Sequence, residues 1–277
     1  MGNDSAGSHE SWDINSINPE REMTRLYGMA GNLTVRHVKQ SMEKLPKNCL
    51  SIEIGSGLGK MSFFPALLGS DVHLLDSSSA ALKAAESLYN YCGIPVKTHE
   101  CDALSLPSSL LGKFDLSLSL GVNEHFSGEL RQSIFDVHHD VLKSGGRAVI
   151  AVPNRHCISY RIAMLMWKLT GRWPEGLYEY GFSRSELMHR MKQAGFTEVE
   201  VVSGTYAKDD FQHFIMGNLK AALQKFGLMH QVTRVDEKGS DKPCSPGRIL
   251  ERLLELEAPE VFNNHQSYAW VAKGRRS

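Results

Sequence analysis

The sequence predicts an α/β protein built on a doubly wound parallel sheet. Short runs of apolar, β-forming residues alternate along much of the chain with longer amphipathic segments, which is the pattern of repeated strand–helix units. The runs are apolar over most of their length, as expected for parallel strands that helices cover on both faces. Right-handed crossovers between such strands give a doubly wound sheet, which binds ligands at the carboxyl ends of its strands.

The individual strands and helices follow from the apolar runs and from the residues that bound them. Strands are predicted, in chain order, at residues 49–55, 71–76, 95–102, 114–121, 147–153, 197–203 and 267–273. Apolar spacing, serine caps and terminal glycines predict helices at residues 60–69, 77–93, 127–146 and 183–196. Before the first strand, residues 19–44 are expected to form two short helices that separate near Gly28–Gly31.

Two segments interrupt this alternation, at residues 154–182 and 204–266. The first contains a predicted helix at 158–169, followed by an aromatic, turn-rich stretch. The second contains predicted helices at 210–226 and 248–257. Insertions of this length at the rim of a sheet act as lids or substrate walls, or they pack as helices over the sheet edge. Both interpretations stay open for the first segment, and packing is favoured for the second.

The composition is that of an ordinary globular protein. The chain has 31 basic and 31 acidic residues among 277, so the formal net charge is zero, which argues against broad electrostatic capture of nucleic acid. The five cysteines are widely spaced and form no CxxC pair, so neither a disulfide framework nor a structural zinc site is expected. The first residues lack the apolar core of a signal peptide, and no apolar stretch has the length of a membrane span. We therefore expect a cytoplasmic protein without stable membrane insertion.

Three glycines, Gly55, Gly57 and Gly59, lie in five positions directly after the first predicted strand. Glycine at a strand end provides positive φ, or it allows the backbone to come close to a ligand. A phosphate-binding P-loop would need glycine in place of Ile54 and serine or threonine in place of Met61, so the sequence excludes that pattern.

The dinucleotide fingerprint GxGxxG is matched only in part. Counted from Gly55, it finds Gly57 but meets Lys60 where a third glycine normally lets the helix pack closely on the strand. Asp76 ends the second predicted strand and suits the ribose hydroxyls of several nucleotide-like cofactors, so it does not discriminate between them.

The stretch EIGSGLG resembles the E/DxGxGxG motif of class I S-adenosylmethionine-dependent methyltransferases. S-adenosylmethionine has no phosphate, and its ammonium and sulfonium groups make a carboxylate near the loop favourable, whereas the same carboxylate would repel a pyrophosphate. The resemblance implies that the cofactor loop consists of Glu53, Gly55, Ser56, Gly57 and Gly59.

Further blocks resemble the same family and occur in the family's order, over about residues 47–203 and the last strand. LLDSS resembles the acidic motif after the second strand, which implies that Asp76 and Ser77 contact the ribose. HECDALSLP is similar to the adenine-binding segment, which implies that Asp102 accepts from the exocyclic amine and that Ala103 supplies a backbone amide. The fold that the family implies is a Rossmann-like sheet of seven strands, mostly parallel, with an antiparallel last strand.

FDLSLSLGVNEHF resembles the segment after the fourth strand, which faces the methyl end of the cofactor and implies cofactor contacts from Leu120 and Asn123. Asn123 replaces a common leucine, and an asparagine there can also stabilise a turn. His125 is a catalytic candidate, because histidine exchanges protons near neutral pH, or it orients the loop. Glu124 is a second candidate base, or it bonds backbone amides at a helix start.

The acceptor site is predicted from aromatic residues of the cap helices and of the first interrupting segment. Tyr27 can face the sulfonium or form a wall of the acceptor site, and Trp167, Trp173 and Tyr178 can line an apolar pocket. Aromatic residues at such spacing also form ordinary core. The helix at 158–169 can lie on a membrane surface, although burial as a lid explains the same pattern and is favoured.

The resemblance implies a single methyltransferase domain over residues 1–277. Its expected parts are a tail with cap helices (1–46), a cofactor-binding half (47–153), a lid insertion (154–182) and the C-terminal part of the sheet (183–277) with its own insertion (204–266).

The predicted function is methyl transfer from S-adenosylmethionine to a small organic acceptor, at oxygen or nitrogen, by in-line displacement. No metal and no nucleic-acid partner are expected, and a homodimer is compatible with the sequence. Two alternatives stay open at this point. One is an NAD(P)-dependent oxidoreductase, and the other is a non-catalytic cofactor-binding protein that regulates a partner.

Overall fold

The computed structural model describes residues 17–170, 179–204, 244–256, 267 and 269–277. At its centre is a seven-stranded sheet with the strand order β3-β2-β1-β4-β5-β7-β6. The strands are β1 (Leu50–Ile54), β2 (Asp71–Asp76), β3 (Lys97–Glu100), β4 (Phe114–Leu120), β5 (Leu142–Pro153), β6 (Phe196–Ser203) and β7 (Ala269–Arg276). Only β7 runs antiparallel to its neighbours among these strands. The predicted doubly wound sheet with an antiparallel last strand is therefore confirmed.

Helices connect and cover the strands. They are α1 (Pro19–Ala30), α2 (Leu33–Met42), α3 (Phe63–Leu67), α4 (Ser79–Tyr91), α5 (Leu130–Asp140), α6 (Ile158–Thr170), α7 (Arg184–Gln193) and α8 (Pro246–Leu254). Serine caps set several helix starts, as the sequence predicts: Ser78 accepts from the Ala81 N–H at 3.2 Å, and Ser183 accepts from the Glu186 N–H at 3.1 Å. In the described part of the chain, no helix is both long and apolar enough to cross a membrane.

The core consists of two apolar clusters, one on each face of the sheet. Alternation along the strands divides the side chains between them, so that Leu74 belongs to one cluster and Leu75 to the other. The first cluster includes Leu26 of α1 and Ile249 of α8, and the second includes Ile134 of α5. Because both faces are covered, the open edge of the sheet at its carboxyl ends is where a ligand can reach the strands.

Two predicted helix boundaries are wrong. The helix expected at 60–69 begins only at Phe63, because the residues before it form the turn that closes the glycine loop. The helix expected at 127–146 ends at Asp140, because the Val141 carbonyl oxygen accepts from the Phe114 N–H at 2.9 Å and so already belongs to the sheet.

The N-terminal part confirms the two predicted cap helices. Gly28 lies within α1, and the break falls at Gly31, after which Asn32 caps α2 by accepting from the Thr34 N–H at 2.9 Å. The predicted helix at 210–226 and most of the predicted N-terminal tail lie outside the described residues.

Candidate cofactor and active site

The carboxyl ends of β1, β2 and β4 lie side by side and define the candidate site. Ile54 of β1 is paired with Leu75 of β2, so Gly55 and Asp76 leave the two strands at the same level. β4 is the other neighbour of β1, and the turn Asn123–His125 follows it at the same edge. The predicted cofactor loop, acidic residue and catalytic turn are thus brought together.

The glycine loop after β1 is held by its own backbone and by Asp76. Gly55, Gly57 and Gly59 have φ values of 62°, 51° and 68°, a region that favours glycine. The Gly57 N–H donates to Asp76 Oδ2 at 2.8 Å, and the Gly59 N–H donates to the Ser56 carbonyl oxygen at 2.8 Å. The loop is therefore shaped by these bonds before any ligand binds.

Gly55 also lies against the turn that follows β4. A Cβ atom at Gly55 would be 2.7 Å from a methyl carbon of Val122, which leaves no room for a side chain. Val122 in turn accepts from the His125 N–H at 3.1 Å through its carbonyl oxygen. The glycine loop and the predicted catalytic turn are in direct contact.

Glu53 lies beneath the glycine loop. Its side chain is buried, and its Oε2 accepts from the Ser62 N–H at 2.8 Å. Burial raises the pKa of this carboxyl to about 7, although the bond from Ser62 favours the ionised form. Glu53 therefore braces the two ends of the loop, a contact that the motif did not predict.

Asp76 and Asp102 are both oriented by backbone amides. Asp76 accepts from Gly57 through Oδ2 and from the Ser78 N–H through Oδ1 at 2.9 Å. Asp102 lies after β3, where its Oδ1 accepts from the Leu104 N–H at 2.9 Å. Each carboxylate oxygen has a further lone pair, so both groups can still accept from ribose hydroxyls or an amine.

The remaining predicted cofactor residues lie along the same edge. Ser77 is exposed next to Asp76, and Ala103 is half-buried against the apolar cluster below. Leu120 ends β4 with 40% of its surface exposed, which leaves an apolar side chain available to a ligand.

Asn123 begins the 3₁₀ turn (Asn123–His125) that follows β4. Its side chain is fully buried and its Oδ1 accepts from Ser119 Oγ at 2.9 Å. Its Nδ2 has no hydrogen-bond partner among the described residues. The Asn123 side chain is therefore bonded to β4, and both its turn-stabilising role and its contact with the cofactor stay predictions.

Glu124 is a buried carboxyl group with an unused oxygen. Only 3% of the residue is exposed, and Oε2 has no partner within the described ranges. Burial raises its pKa to about 8, nearby Glu179 adds to the rise, and Arg131 opposes it. A carboxyl group of this pKa is mostly protonated at neutral pH, and in its ionised form it is a stronger base than an ordinary carboxylate.

Arg131 of α5 connects the catalytic turn to the segment before α7, and sequence reasoning missed it. Its guanidinium donates to the carbonyl oxygens of Phe126 at 3.2 Å and Tyr180 at 2.9 Å, and it pairs with Glu186 at 2.7 Å. It also stacks 3.5 Å from the ring centroid of Phe182. The Tyr180 N–H donates to the Glu124 carbonyl oxygen at 2.8 Å. Arg131 therefore bonds the backbone on both sides of Glu124, at Phe126 and at Tyr180.

The predicted acceptor residues are only partly described. Tyr27 is half-buried beneath α8, where the guanidinium carbons of Arg248 and Arg252 lie 5.1 and 4.6 Å from its ring centroid. This contact joins α1 to α8, and a role of Tyr27 at the acceptor stays a prediction. Outside the described part of the chain lie Trp173, Tyr178 and the side chain of Trp167.

The lysine that follows the glycine loop is paired with a carboxylate. Lys60 Nζ lies 2.7 Å from Glu22 Oε2 of α1, so its charge is directed at a protein group and not held free for a phosphate. The site combines the carboxylates of Asp76 and Asp102 with a glycine loop that lies between α1 and β4. These groups suit a ligand that consists of a nucleoside joined to an amino acid. Among the described residues, no group of three or more histidines, cysteines and carboxylates is placed to hold a metal ion.

Comparison with known sequences agrees with this geometry. A family profile described as a methyltransferase domain matches residues 52–146. The ubiquinone biosynthesis O-methyltransferase of Ruegeria pomeroyi is 30% identical over 152 residues, which cover 54% of this chain and 60% of that protein. The enzyme of the same name from Cupriavidus pinatubonensis is 26% identical over 211 residues, 72% of this chain and 77% of that protein. The chain thus spans about 60% of the length of the first of these relatives.

Comparison with solved structures gives the same fold. A methyltransferase from Thermotoga maritima superposes with a TM-score of 0.55 at 17% identity, over 96% of this chain and 99% of that one. Phosphoethanolamine N-methyltransferase 2 of Haemonchus contortus, solved with S-adenosylmethionine, superposes with a TM-score of 0.53 at 16% identity, over 88% and 52%.

The strand order, the loop and the matched profile together define the class. Residues 52–146 match a methyltransferase domain, and the sheet that contains them is similar to that of S-adenosylmethionine-dependent methyltransferases. The dinucleotide-binding alternative is not favoured by the family match.

Proposed function

We propose that this protein transfers the methyl group of S-adenosylmethionine to a hydroxyl oxygen of a small organic acceptor. The observation that carries this proposal is the buried, unpartnered Glu124 carboxyl at the same sheet edge as the glycine loop and Asp76. The relatives are named as O-methyltransferases of ubiquinone biosynthesis, which favours oxygen over nitrogen as the methylated atom.

In this proposal the chain holds the cofactor by its loop and two carboxylates. The loop binds the amino acid part, while Asp76 with Ser77 binds the ribose and Asp102 with Ala103 binds the adenine. When bound, the cofactor supplies a methyl carbon that its sulfonium makes electrophilic. The cofactor contacts proposed for this chain are Glu53, Gly55, Ser56, Gly57, Gly59, Asp76, Ser77, Asp102, Ala103, Leu120 and Asn123.

Glu124 and His125 are the proposed catalytic groups. Glu124 accepts the proton of the acceptor hydroxyl, since its raised pKa of about 8 makes it a stronger base than an ordinary carboxylate. His125 orients the acceptor from the next position of the same turn. Arg131 keeps the turn in place, so that alignment of the acceptor is set by the protein before reaction.

An apolar acceptor is supported by the surface around Glu124. Leu120 and Tyr180 are 40% and 45% exposed, and the Tyr180 backbone is bonded to Glu124. Apolar side chains beside a few polar groups are typical of small-molecule pockets. We propose that the acceptor also meets residues of the cap and of the lid insertion (154–182), namely Tyr27, Trp167, Trp173 and Tyr178.

Three further points belong to the proposal. The five cysteines are all free thiols, which favours a reducing compartment such as the cytoplasm. The proposal includes a homodimer, and light scattering coupled to gel filtration tests it. The division of residues 1–277 into one domain with two insertions is tested by limited proteolysis, which should cut first within the insertions.

The decisive experiment compares ligands and then measures turnover. S-adenosylhomocysteine should raise the melting temperature and NAD⁺ should not, because ligands stabilise only the folded state that binds them. A rise with NAD⁺ alone would overturn the proposal. Labelled methyl transfer to hydroxylated aromatic acceptors then separates an enzyme from a non-catalytic binding protein, which would bind the cofactor but leave its methyl group in place.

A further inference from the structure

Lys60 lies between the glycine loop and α1, at a position that the cofactor motif does not explain. It follows Gly59 directly, and its side chain is 29% exposed. Its Nζ lies 2.7 Å from Oε2 of Glu22, whose side chain is only 7% exposed. A lysine at the rim of a ligand loop has water available, so its pairing with a buried carboxylate of another element indicates a specific contact.

We propose that Lys60 is a positioning residue for cofactor binding, which holds α1 against the glycine loop through its ion pair with Glu22. This inference rests on the proposed function, since the ligand concerned is S-adenosylmethionine. Lys60 and Glu22 join the glycine loop to α1. Neither residue is assigned a contact with the reacting atoms.

The α1 side of this contact is well defined. Asn18 caps the helix by accepting from the Arg21 N–H at 3.0 Å, which fixes the first turn where Glu22 lies. Arg25, one turn further, also pairs with Glu22 through Oε1. Glu22 thus receives two cations, one from its own helix and one from the loop, and only the pair with Lys60 joins two elements.

The loop side is equally well defined. Tyr89 of α4 is buried, and its hydroxyl donates to the Gly59 carbonyl oxygen at 2.6 Å. The end of the glycine loop is therefore held by Tyr89 from the sheet-packed helix α4 and, one residue later, by Glu22 of α1. Removing the pair with Glu22 leaves Tyr89 in place, so the loop keeps its fold while α1 loses its ion pair with the residue that follows the loop.

The charges also suit the proposed ligand. S-adenosylmethionine carries a sulfonium and an ammonium group, and an unpaired lysine at the loop would repel both. Glu22 offsets one of the two positive charges beside it, and Lys60 becomes an ionic link between the loop and α1. Since α1 and the glycine loop are held together by this pair, we expect its loss to loosen the loop and to speed ligand release more than it changes ligand capture.

The test is a series of Lys60 and Glu22 variants of the full-length protein, measured by binding of S-adenosylhomocysteine. Lys60→Met and Glu22→Gln should each weaken binding about tenfold, mainly through faster dissociation, a loss typical of coupled contacting residues. The conservative variant Lys60→Arg should keep affinity within about threefold, since arginine retains the positive charge that pairs with Glu22. Lys97→Met is the matched control, because Lys97 forms an exposed 2.8 Å pair with Asp71 at the other end of β2.

Three outcomes would overturn the proposal. They are unchanged dissociation in Lys60→Met, binding by Lys60→Arg as weak as by Lys60→Met, and a loss of ligand-free stability that accounts for all of the lost affinity. The stability is measured by urea unfolding without ligand, where Lys60→Met and the control should agree. If the unaltered protein itself does not bind S-adenosylhomocysteine, then the proposed function fails, and that result is distinct from failure of the Lys60 assignment.

Discussion

The two halves of the candidate site differ in the kind of buried group that the protein leaves without a partner. On the cofactor side, backbone amides donate to the carboxylates of Glu53 and Asp76, and the buried atoms without a partner among the described residues are the hydroxyl oxygens of Ser56 and Ser62. On the acceptor side, Glu124 Oε2 is buried and lacks such a partner, as does Nδ2 of the neighbouring Asn123. Buried polar groups are nearly always bonded, so we expect a ligand to bond hydroxyl groups on the cofactor side and a carboxyl oxygen on the acceptor side.

This difference separates binding from chemistry. A preformed loop binds its cofactor with little reorganisation, which favours affinity. An unpartnered carboxyl of raised pKa is costly for stability but is suited to proton transfer. Variants on the cofactor side should therefore change affinity, and variants on the acceptor side should change turnover.

The largest effect is expected for Glu124→Gln. Glutamine keeps the size of the side chain but cannot accept a proton as a base, so kcat should fall by about 100-fold or more. In the unaltered protein, kcat should rise with pH through about 8, because the base acts in its ionised form and its pKa is raised to about 8. The pH–rate profile of the variant should lose this rise.

Binding of S-adenosylhomocysteine is the control for that experiment, and it should change less than about threefold, as expected for a group that acts on the reacting hydroxyl. An unchanged kcat would remove Glu124 from the mechanism. His125→Ala, measured in parallel, should also lower turnover more than binding.

Asp76→Ala is expected to have the next largest effect, on the cofactor side. It removes the acceptor for Gly57 and the proposed acceptor for the ribose, so the Kd for S-adenosylhomocysteine should rise about 50-fold. Isothermal titration calorimetry measures the change. Asp71→Ala at the exposed start of the same strand is the matched control, and equal losses in both variants would contradict the assignment.

Glycine replacements sharpen the comparison by testing whether the loop is preformed. Gly59 and Gly93 have nearly equal φ values of 68° and 67°. A Cβ at Gly59 would be 2.7 Å from Leu74, whereas a Cβ at Gly93 meets nothing within 4 Å. Gly59→Ala should therefore lower the free energy of unfolding by about 2 kcal/mol more than Gly93→Ala, which carries the backbone cost alone. Urea unfolding measures the free energy of unfolding of both variants. Equal losses would indicate that the glycine loop rearranges to accommodate the added methyl group.

The sequence predicted the cofactor side because its requirements are local. Glycine positions, the acid at the end of β2 and the strand–helix alternation depend on short stretches, and all were placed correctly along the chain. Helix ends were less predictable, since Asp140 ends α5 through pairing of β5 with β4, a contact between distant residues.

The acceptor side depends on contacts that the motif does not contain. The bonds of Arg131 reach residues 126, 180 and 186, which adjacency in sequence does not indicate. One indication was available: Arg131, Ile134, Phe135 and His138 are all buried at the i, i+3, i+4, i+7 spacing of a core-facing stripe. An arginine on such a stripe must be bonded inside the protein.

Arg131→Lys tests that connection with a smaller expected effect. Lysine keeps the charge but cannot reproduce the planar fork that bonds Phe126, Tyr180 and Glu186 together. The catalytic turn should loosen, and kcat should fall about tenfold while the Kd for S-adenosylhomocysteine stays within about twofold. Arg147→Lys at the Glu198 pair is the control. A parallel loss of affinity and turnover would mean that Arg131 supports the whole edge and not the acceptor side alone.

The smallest effect is expected at Asn123, where the bonded Oδ1 lies next to the unpartnered Nδ2. Asn123→Leu removes the acceptor of the Ser119 hydroxyl together with the unpartnered Nδ2, so the free energy of unfolding should fall by about 1 kcal/mol. Adding Ser119→Ala removes the stranded hydroxyl and should recover most of that loss. Chemical denaturation of the two variants and of Ser119→Ala alone completes the cycle. Binding of S-adenosylhomocysteine, measured in the same variant, tests the proposed cofactor contact of Asn123. A clear rise in Kd supports that contact, and an unchanged Kd removes Asn123 from the cofactor residues.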